Sequence, residues 1–184
     1  MTRNGMTIVL AGLLAACASP ALAARAQNAD FESMPPMSYT DMLRDANNAY
    51  SDKRYDKAFK LFQRTSCAGD KESQSALGRM YLLGQGVKRE DLVGYAWLKV
   101  AAQVRDLGYQ KIVDELEHAM TPAQRLIADQ LGKKAIDLYG LAATHMSCQP
   151  FASRGGHILD TIMCTPERNG TQVLLRRCVP GALP

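Results

Sequence analysis

Long apolar runs, histidine and charge of one sign are all scarce in this chain of 184 residues. Its apolar stretch near the start, Met6–Ala16 (MTIVLAGLLAA), covers 11 residues, about half of the roughly 20 that a membrane-spanning helix needs. With three histidines in all, the best zinc grouping is His145-x2-Cys148 with His157 and Cys164. It matches no tight C-x2-C pair, and exported thiols oxidise, so no metal site is expected. His118 follows Glu115 and Glu117 on a polar helix face and reads as solvated. No G-x-S-x-G nucleophile elbow occurs, and a Cys–His nucleophile would need a free thiol, for which Cys67 alone is a candidate. Gly84-Gln85-Gly86-Val87-Lys88 has the wrong spacing for a phosphate-cradling G-x4-G-K-[ST] loop, because one residue separates the glycines and Arg89 follows the lysine. The 22 basic and 18 acidic residues are interleaved, as in Asp52-Lys53-Arg54, so the clustered basic stripe of a nucleic-acid binder is missing. No catalytic residue, cofactor or nucleic-acid partner is expected.

What the chain has is 47% hydrophobic residues, enough for a real core in one ordinary domain. Arg3 and the short apolar run read as an export signal with two overlapping ends. Leu14-Ala15-Ala16-Cys17 fits a bacterial lipobox (leader 1–16), in which Cys17 would be lipidated. Ala21-Leu22-Ala23 fits ordinary secretory cleavage (leader 1–23). Residues 24–38, rich in Ala, Asn, Ser and Pro, read as a tether.

From Tyr39 the apolar spacing turns helical and stays so to about residue 145. Leu43, Ala46 and Tyr50 share one helix face, and Tyr55, Ala58, Phe59 and Phe62 share a second. Asp70 caps a third helix whose inner face is Ala76, Leu77, Met80 and Tyr81. Asp91 opens a fourth, with Ala96, Trp97, Val100, Ala101 and Val104 inward. After Gly108, Ile112, Val113 and Leu116 mark a fifth. Thr121-Pro122 starts a sixth, which runs through Ala123, Ile127, Leu131 and Leu138 to Tyr139-Gly140. Gly132 in its middle permits a bend or an early stop.

These are three consecutive antiparallel helix pairs, and overlaying them exposes a repeat. Ala46-x3-Tyr50 matches Leu77-x3-Tyr81, 31 positions on, and Ala58 matches Ala96, 38 positions on. The difference of seven is an insertion in the turn. A period of this size built from two helices predicts an all-α fold, a short α-solenoid.

The string Leu77-Gly78-x2-Tyr81-x2-Gly84-x-Gly86-Val87, followed by Asp91, Ala96-Trp97 and Ala101-Ala102, resembles a Sel-one-like repeat. That family is related to tetratricopeptide repeats and has a longer loop inside each helix pair. The match covers residues 70–105. Residues 41–68 resemble a plainer tetratricopeptide-type unit, and 108–140 a degenerate one, as expected of an end repeat. The resemblance implies a non-catalytic adaptor that binds a protein or peptide. A rival follows from cysteine-rich exported members linked to cell-wall or β-lactam substrates, but those carry a cysteine pair in every repeat. A structural envelope lipoprotein is the other alternative. Ala18 after Cys17, by resemblance to bacterial lipoproteins, points to the outer membrane of a Gram-negative cell, and ordinary cleavage points to the periplasm. Any membrane contact would then run through Cys17.

In solenoids the partner surface is the concave face lined by the first helix of each pair. Helical positions not spent on the core single out Arg44, Asn47 and Asn48, then Ser75, Arg79 and Leu82, a row suited to peptide backbone and carboxylates. Tyr95, off the main face, joins them as a partner contact. Setting Cys17 aside leaves Cys67, Cys148, Cys164 and Cys178, an even number with three pairings. The tail 146–184, with Cys148 and Cys164 bracketing Gly155-Gly156-His157-Ile158, resembles a cysteine-bounded C-terminal element of some exported bacterial proteins. That resemblance implies a Cys148–Cys164 bond, and Cys67–Cys178 would then clip the tail to the solenoid. Residues 157–164 and 171–178 are β-leaning and joined by a turn, which fits a hairpin.

Overall fold

The computed structural model describes residues 30–104, 108–152 and 158–183. The leader with Cys17, and most of the segment expected as a tether, lie outside them. Among the described residues the chain runs β1 (Phe31–Met34), α1 (Pro36–Ser51), α2 (Tyr55–Cys67), α3 (Lys71–Leu83), α4 (Asp91–Ala101), α5 (Tyr109–Ala119), α6 (Pro122–Tyr139) and α7 (Leu141–Thr144). Strands β2 (Ser147–Ala152), β3 (Ile158–Thr165), β4 (Arg168–Asn169) and β5 (Gln172–Arg176) follow.

The helices start where their capping chemistry says they should. Asp70 accepts from the Ser73 amide at 2.7 Å, satisfying a donor that the first turn leaves orphaned. Thr121 and Gln124 form a reciprocal capping box ahead of Pro122. Helix α6 continues unbroken through Gly132, which is buried against Tyr95 and Lys99 of α4.

The apolar stripes of α1 to α4 and α6 close on one core. Ala46, Ala49, Ala58, Phe62, Leu77, Met80, Ala96, Trp97 and Tyr139 belong to it. Trp97 and Tyr139 stack with ring centroids 5.0 Å apart, so α6 lies on α4. The structure thus pairs α1 with α2 and α3 with α4 as compact helix hairpins, with α5 and α6 both leaning on α4. Leu98 of α4, Val113 of α5 and Ala128 of α6 share a second buried cluster.

The two halves of the repeat superpose chemically: Ala46 and Leu77 are buried, as are Ala58 and Ala96. The turns differ, with Asp52–Arg54 in the first pair and Gly84–Glu90 in the second. Four of the seven extra residues therefore lie in the loop, and the other three sit in the flanking ends of α3 and α4. The loop folds inward because Gly84 and Gly86 take φ of 66° and 70°, the left-handed region that a side chain resists. Val87 packs back on the core, as its place in the repeat predicts. Gly78 and Gly94 mark the crossing of α3 and α4. A Cβ on Gly78 would stand 2.8 Å from the Gly94 carbonyl oxygen, and one on Gly94 2.7 Å from that of Gly78.

The tail departs from the sequence reading at two points. Within the segment 24–38 expected as a tether, Phe31–Met34 is a strand and α1 already begins at Pro36. The strand pairs antiparallel with β5, Phe31 opposite Arg176 and Met34 opposite Val173. Its partner is some 140 residues away in sequence, so no local pattern announces it. The hairpin expected between 157–164 and 171–178 does not form. Strand β3 pairs instead with β2, and β5 lies between β1 and the two-residue β4. Both apolar segments found strands that read as polar or proline-bearing. Val173 and Leu175 of β5 then bury with Tyr39 of α1 and Ala68, so the sheet that joins the chain's two ends sits on the first helix pair.

Two disulfides fix this arrangement, Cys67–Cys178 and Cys148–Cys164. The first ties the end of α2 to the segment after β5. The second joins residues directly opposite in the β2–β3 ladder. Two such bonds indicate an oxidising compartment. No helix among the described residues is long and apolar enough to cross a membrane.

Candidate binding groove

A cavity of about 560 Å³ opens between the start of α3, the start of α5 and strand β3. Helix α3 supplies Lys71, Glu72, Ser75 and Arg79, with Asp70 just before it. Val104, Tyr109 and Ile112 line the α5 side, and Ile162, Met163 and Cys164 come from β3. Helix α3 opens the second helix pair, and α5 follows that pair and leans on α4.

The polar side of the groove is anchored by a buried lysine. Lys71 is 3% exposed, and its ammonium donates to Gln74 Oε1 at 3.0 Å, to the Val100 carbonyl at 3.0 Å and to Gln103 Oε1 at 3.3 Å. Burial pushes its pKa down to about 7, against the opposing pull of the Asp70 carboxylate. Burial also raises Asp70, although the Ser73 donors and Lys71 act the other way. Tyr39, buried beside Asp70, is raised as well by burial and by that carboxylate. Gln74, fully buried, donates to the carbonyls of Ser66 and Tyr139, both at 2.9 Å. It thereby locks α3 to the ends of α2 and α6. Ser73 takes a hydrogen bond from Thr65 at 2.8 Å. This network ties the floor of the groove to α2, α4 and α6.

The structure brings two of the seven expected partner contacts together here, Ser75 and Arg79. Ser75 is buried in the floor, 2% exposed, rather than standing on an open face. Arg79 is exposed and makes no hydrogen bond or ion pair among the described residues. Arg44, Asn47 and Asn48 are exposed on α1 as expected but do not line this groove. Arg44 is already engaged with Asp41 at 2.7 Å and Asp45 at 3.9 Å. Leu82 is half-buried against Gly94 and the α4–α5 cluster, because its turn of α3 faces the helix crossing.

Tyr95 is a correction to the sequence reading: it is fully buried. Its hydroxyl meets Glu117 Oε1 at 2.8 Å and Asp129 Oδ1 at 3.1 Å. Lys99 bonds the same Glu117 oxygen at 3.0 Å and lies over the Tyr95 ring. Burial and the two carboxylates hold the Tyr95 phenol well above its usual range. Burial alone would raise Glu117, but donation from Tyr95 and Lys99 outweighs it and keeps that carboxyl low. Tyr95 is therefore the polar clamp joining α4, α5 and α6. Its face could not be read from α4 alone, since α4 is surrounded by three helices.

Sequence reasoning missed Lys71, Tyr109, Ile112 and Met163 as groove residues. Met163, 49% exposed, carries the one legible signal, a large apolar side chain left uncovered in a strand.

The fold defines a class, a helical-repeat protein whose first and last described strands pair in a small sheet. No family model matches the chain, and no curated protein matches it. Among solved structures it is similar to a protective antigen present in uropathogenic Escherichia coli strains and displaying an SLR fold. The identity is 22% and the TM-score 0.45, over 56% of this chain and 23% of that one. The helical-repeat architecture is read from the packing above and does not lean on that likeness.

Proposed function

We propose that this chain is an exported scaffold that binds a protein or peptide partner in the cell envelope through the groove between α3, α5 and β3. The observation that carries the reading is the pairing of an apolar wall, Val104 and Ile112, with the exposed guanidinium of Arg79, unpaired among the described residues, in one open cavity. An apolar lining with a few placed polar groups is what a recognition groove needs. The helical repeat and the disulfides support an adaptor working in an oxidising compartment. The leader supports the periplasm or, through Cys17, a lipid anchor in the outer membrane.

The test is affinity capture from envelope extract with the mature chain, comparing wild type with Arg79→Ala, Arg44→Ala and the double variant. Recovery of a partner is expected to fall with Arg79→Ala and to change little with Arg44→Ala, whose guanidinium is neutralised within α1. Equal recovery from all four would refute this surface. Non-reducing intact-mass measurement of the mature protein decides between a lipidated Cys17 and cleavage after Ala23.

A further inference from the structure

Strand β3 belongs to a two-stranded sheet, so one of its edges is unpaired among the described residues. The register shows which backbone groups that edge offers. Cys148 and Cys164 stand directly opposite with their Cα atoms 4.0 Å apart. In an antiparallel ladder, pairs that exchange hydrogen bonds lie at about 5.5 Å and pairs that do not at about 4.5 Å. Cys148–Cys164 is therefore a non-bonded pair, and by alternation so is Pro150–Ile162. The second assignment has an independent check, because a proline has no N–H to give to a ladder and sits without loss at such a position. It follows that the N–H and C=O groups of Ile162 and Cys164 point away from β2.

The same residues border the groove. Ile162, Met163 and Cys164 all line it, although successive strand residues send side chains to opposite faces. Lining by three consecutive residues fits a strand that turns its edge to the cavity. Natural sheets guard exposed edges with charge, proline or bulges; on β3 the charge, Asp160, and the extra residues of the irregular stretch both fall between Ile158 and Ile162, and Ile162–Thr165 pairs in regular register without Lys or Pro.

Resting on the scaffold reading above, we propose that the groove takes its partner by strand addition. An extended segment of the partner protein pairs with Ile162 and Cys164 of β3, sets an apolar side chain against Ile112, and places an acidic side chain at Arg79. Backbone pairing of this kind gives affinity, and the pockets for alternate side chains give selectivity. Arg79, unpaired among the described residues, is the exposed cation that would receive the carboxylate, at the other end of the α3 wall from Asp70 and Glu72.

The probe is a capped seven-residue peptide of alternating valine and threonine with one aspartate, titrated into the isotope-labelled mature chain. Shifts and slowed hydrogen exchange at the Ile162 and Cys164 amides are expected. A peptide with N-methyl groups on alternate amides, chosen to face β3, is expected not to bind. Arg79→Ala should weaken the aspartate peptide by about threefold, the scale of an exposed ion pair, and leave an asparagine version unchanged. Ile162→Pro should abolish binding while the Cys148–Cys164 bond persists. Should that variant misfold, the N-methyl peptide still decides. Equal binding of the N-methyl peptide would overturn the proposal. So would shifts centred on Arg44, Asn47 and Asn48, absence of binding, or closure of the edge by a second copy of the chain. If these fail while captured partners still depend on Arg79, strand addition is wrong and the scaffold reading stands. If capture finds no partner, the scaffold reading itself falls.

Discussion

The helix stack and the strand-tied tail are built by opposite means. Helices α1 to α4 are held by neighbours in sequence: hairpins with turns of three and seven residues, each helix burying its stripe against the next. In the tail β2–β3 and β4–β5 are local pairs, but what joins it to the rest of the chain has no local support. The β1–β5 pairing joins Phe31–Met34 to Gln172–Arg176, and the tail is tied to the stack by a disulfide spanning 111 positions, by Val173 and Leu175 buried with Tyr39 and Ala68, and by the Val179 amide donating to the Tyr139 hydroxyl at 3.0 Å. A repeat stack can form piece by piece, whereas the β1–β5 pairing and Cys67–Cys178 must close most of the chain into a loop before they repay the entropy.

The sharpest way to break this comparison is to remove Cys67–Cys178 by changing both residues to serine. Closing so long a loop is worth about 4 to 5 kcal/mol in the chain-entropy model, against about 3 kcal/mol for Cys148–Cys164. The expected outcome is loss of amide protection in β1 and β5 with α3 and α4 still protected, read by hydrogen exchange. Simultaneous loss in the stack would show that the two regions are one cooperative unit.

Gly78→Val attacks the other side. Its Cβ would meet the Gly94 carbonyl and Leu98, forcing α3 and α4 apart at a cost of about 3 kcal/mol, measurable by urea unfolding. Here the stack should loosen first.

Lys71 supplies a pH test within the stack. Its pKa is about 7 when folded and 10.5 as a free side chain, so the unfolded chain binds more protons between those values. Stability should therefore rise as pH goes from 7 toward 10, by up to about 1.4 kcal/mol per unit from this group. Lys71→Met should flatten that slope in urea titrations at pH 7, 8 and 9. A slope unchanged in the variant would remove Lys71 as its cause.

The smallest effect is expected at Gly84→Ala. Its φ of 66° costs an alanine about 1 kcal/mol, seen as a drop in Tm of a few degrees without loss of the fold.

Much of the stack was legible because its signals are local. Asp70, Thr121-Pro122 and Gly84 act within one turn of themselves, and the spacing of Leu77, Tyr81, Ala96 and Trp97 reports a face without naming what covers it. The groove was legible only in part. Arg79 could be picked as a helical position not spent on the core, but Ser75 and Tyr95 were misplaced because their burial depends on α5 and α6 arriving from elsewhere. Met163 and Ile112 had no signal linking them, since they are far apart in sequence and meet across the groove. The β1–β5 pairing was hidden for the same reason, and the resemblance at Cys148 and Cys164 supplied what spacing alone left among three pairings.

The sequence by itself determined the helices, their caps, the inward turn at Gly84 and Gly86 and the repeat that relates the first two pairs, because each rests on contacts within a few residues. Tertiary structure alone decided that Phe31–Met34 and Gln172–Arg176 join in one sheet, that α4 is wrapped so that Tyr95 becomes a clamp, and that β3 borders one groove with α3 and α5. Those outcomes depend on which distant surfaces meet, and that is settled by burial and loop closure across the whole chain.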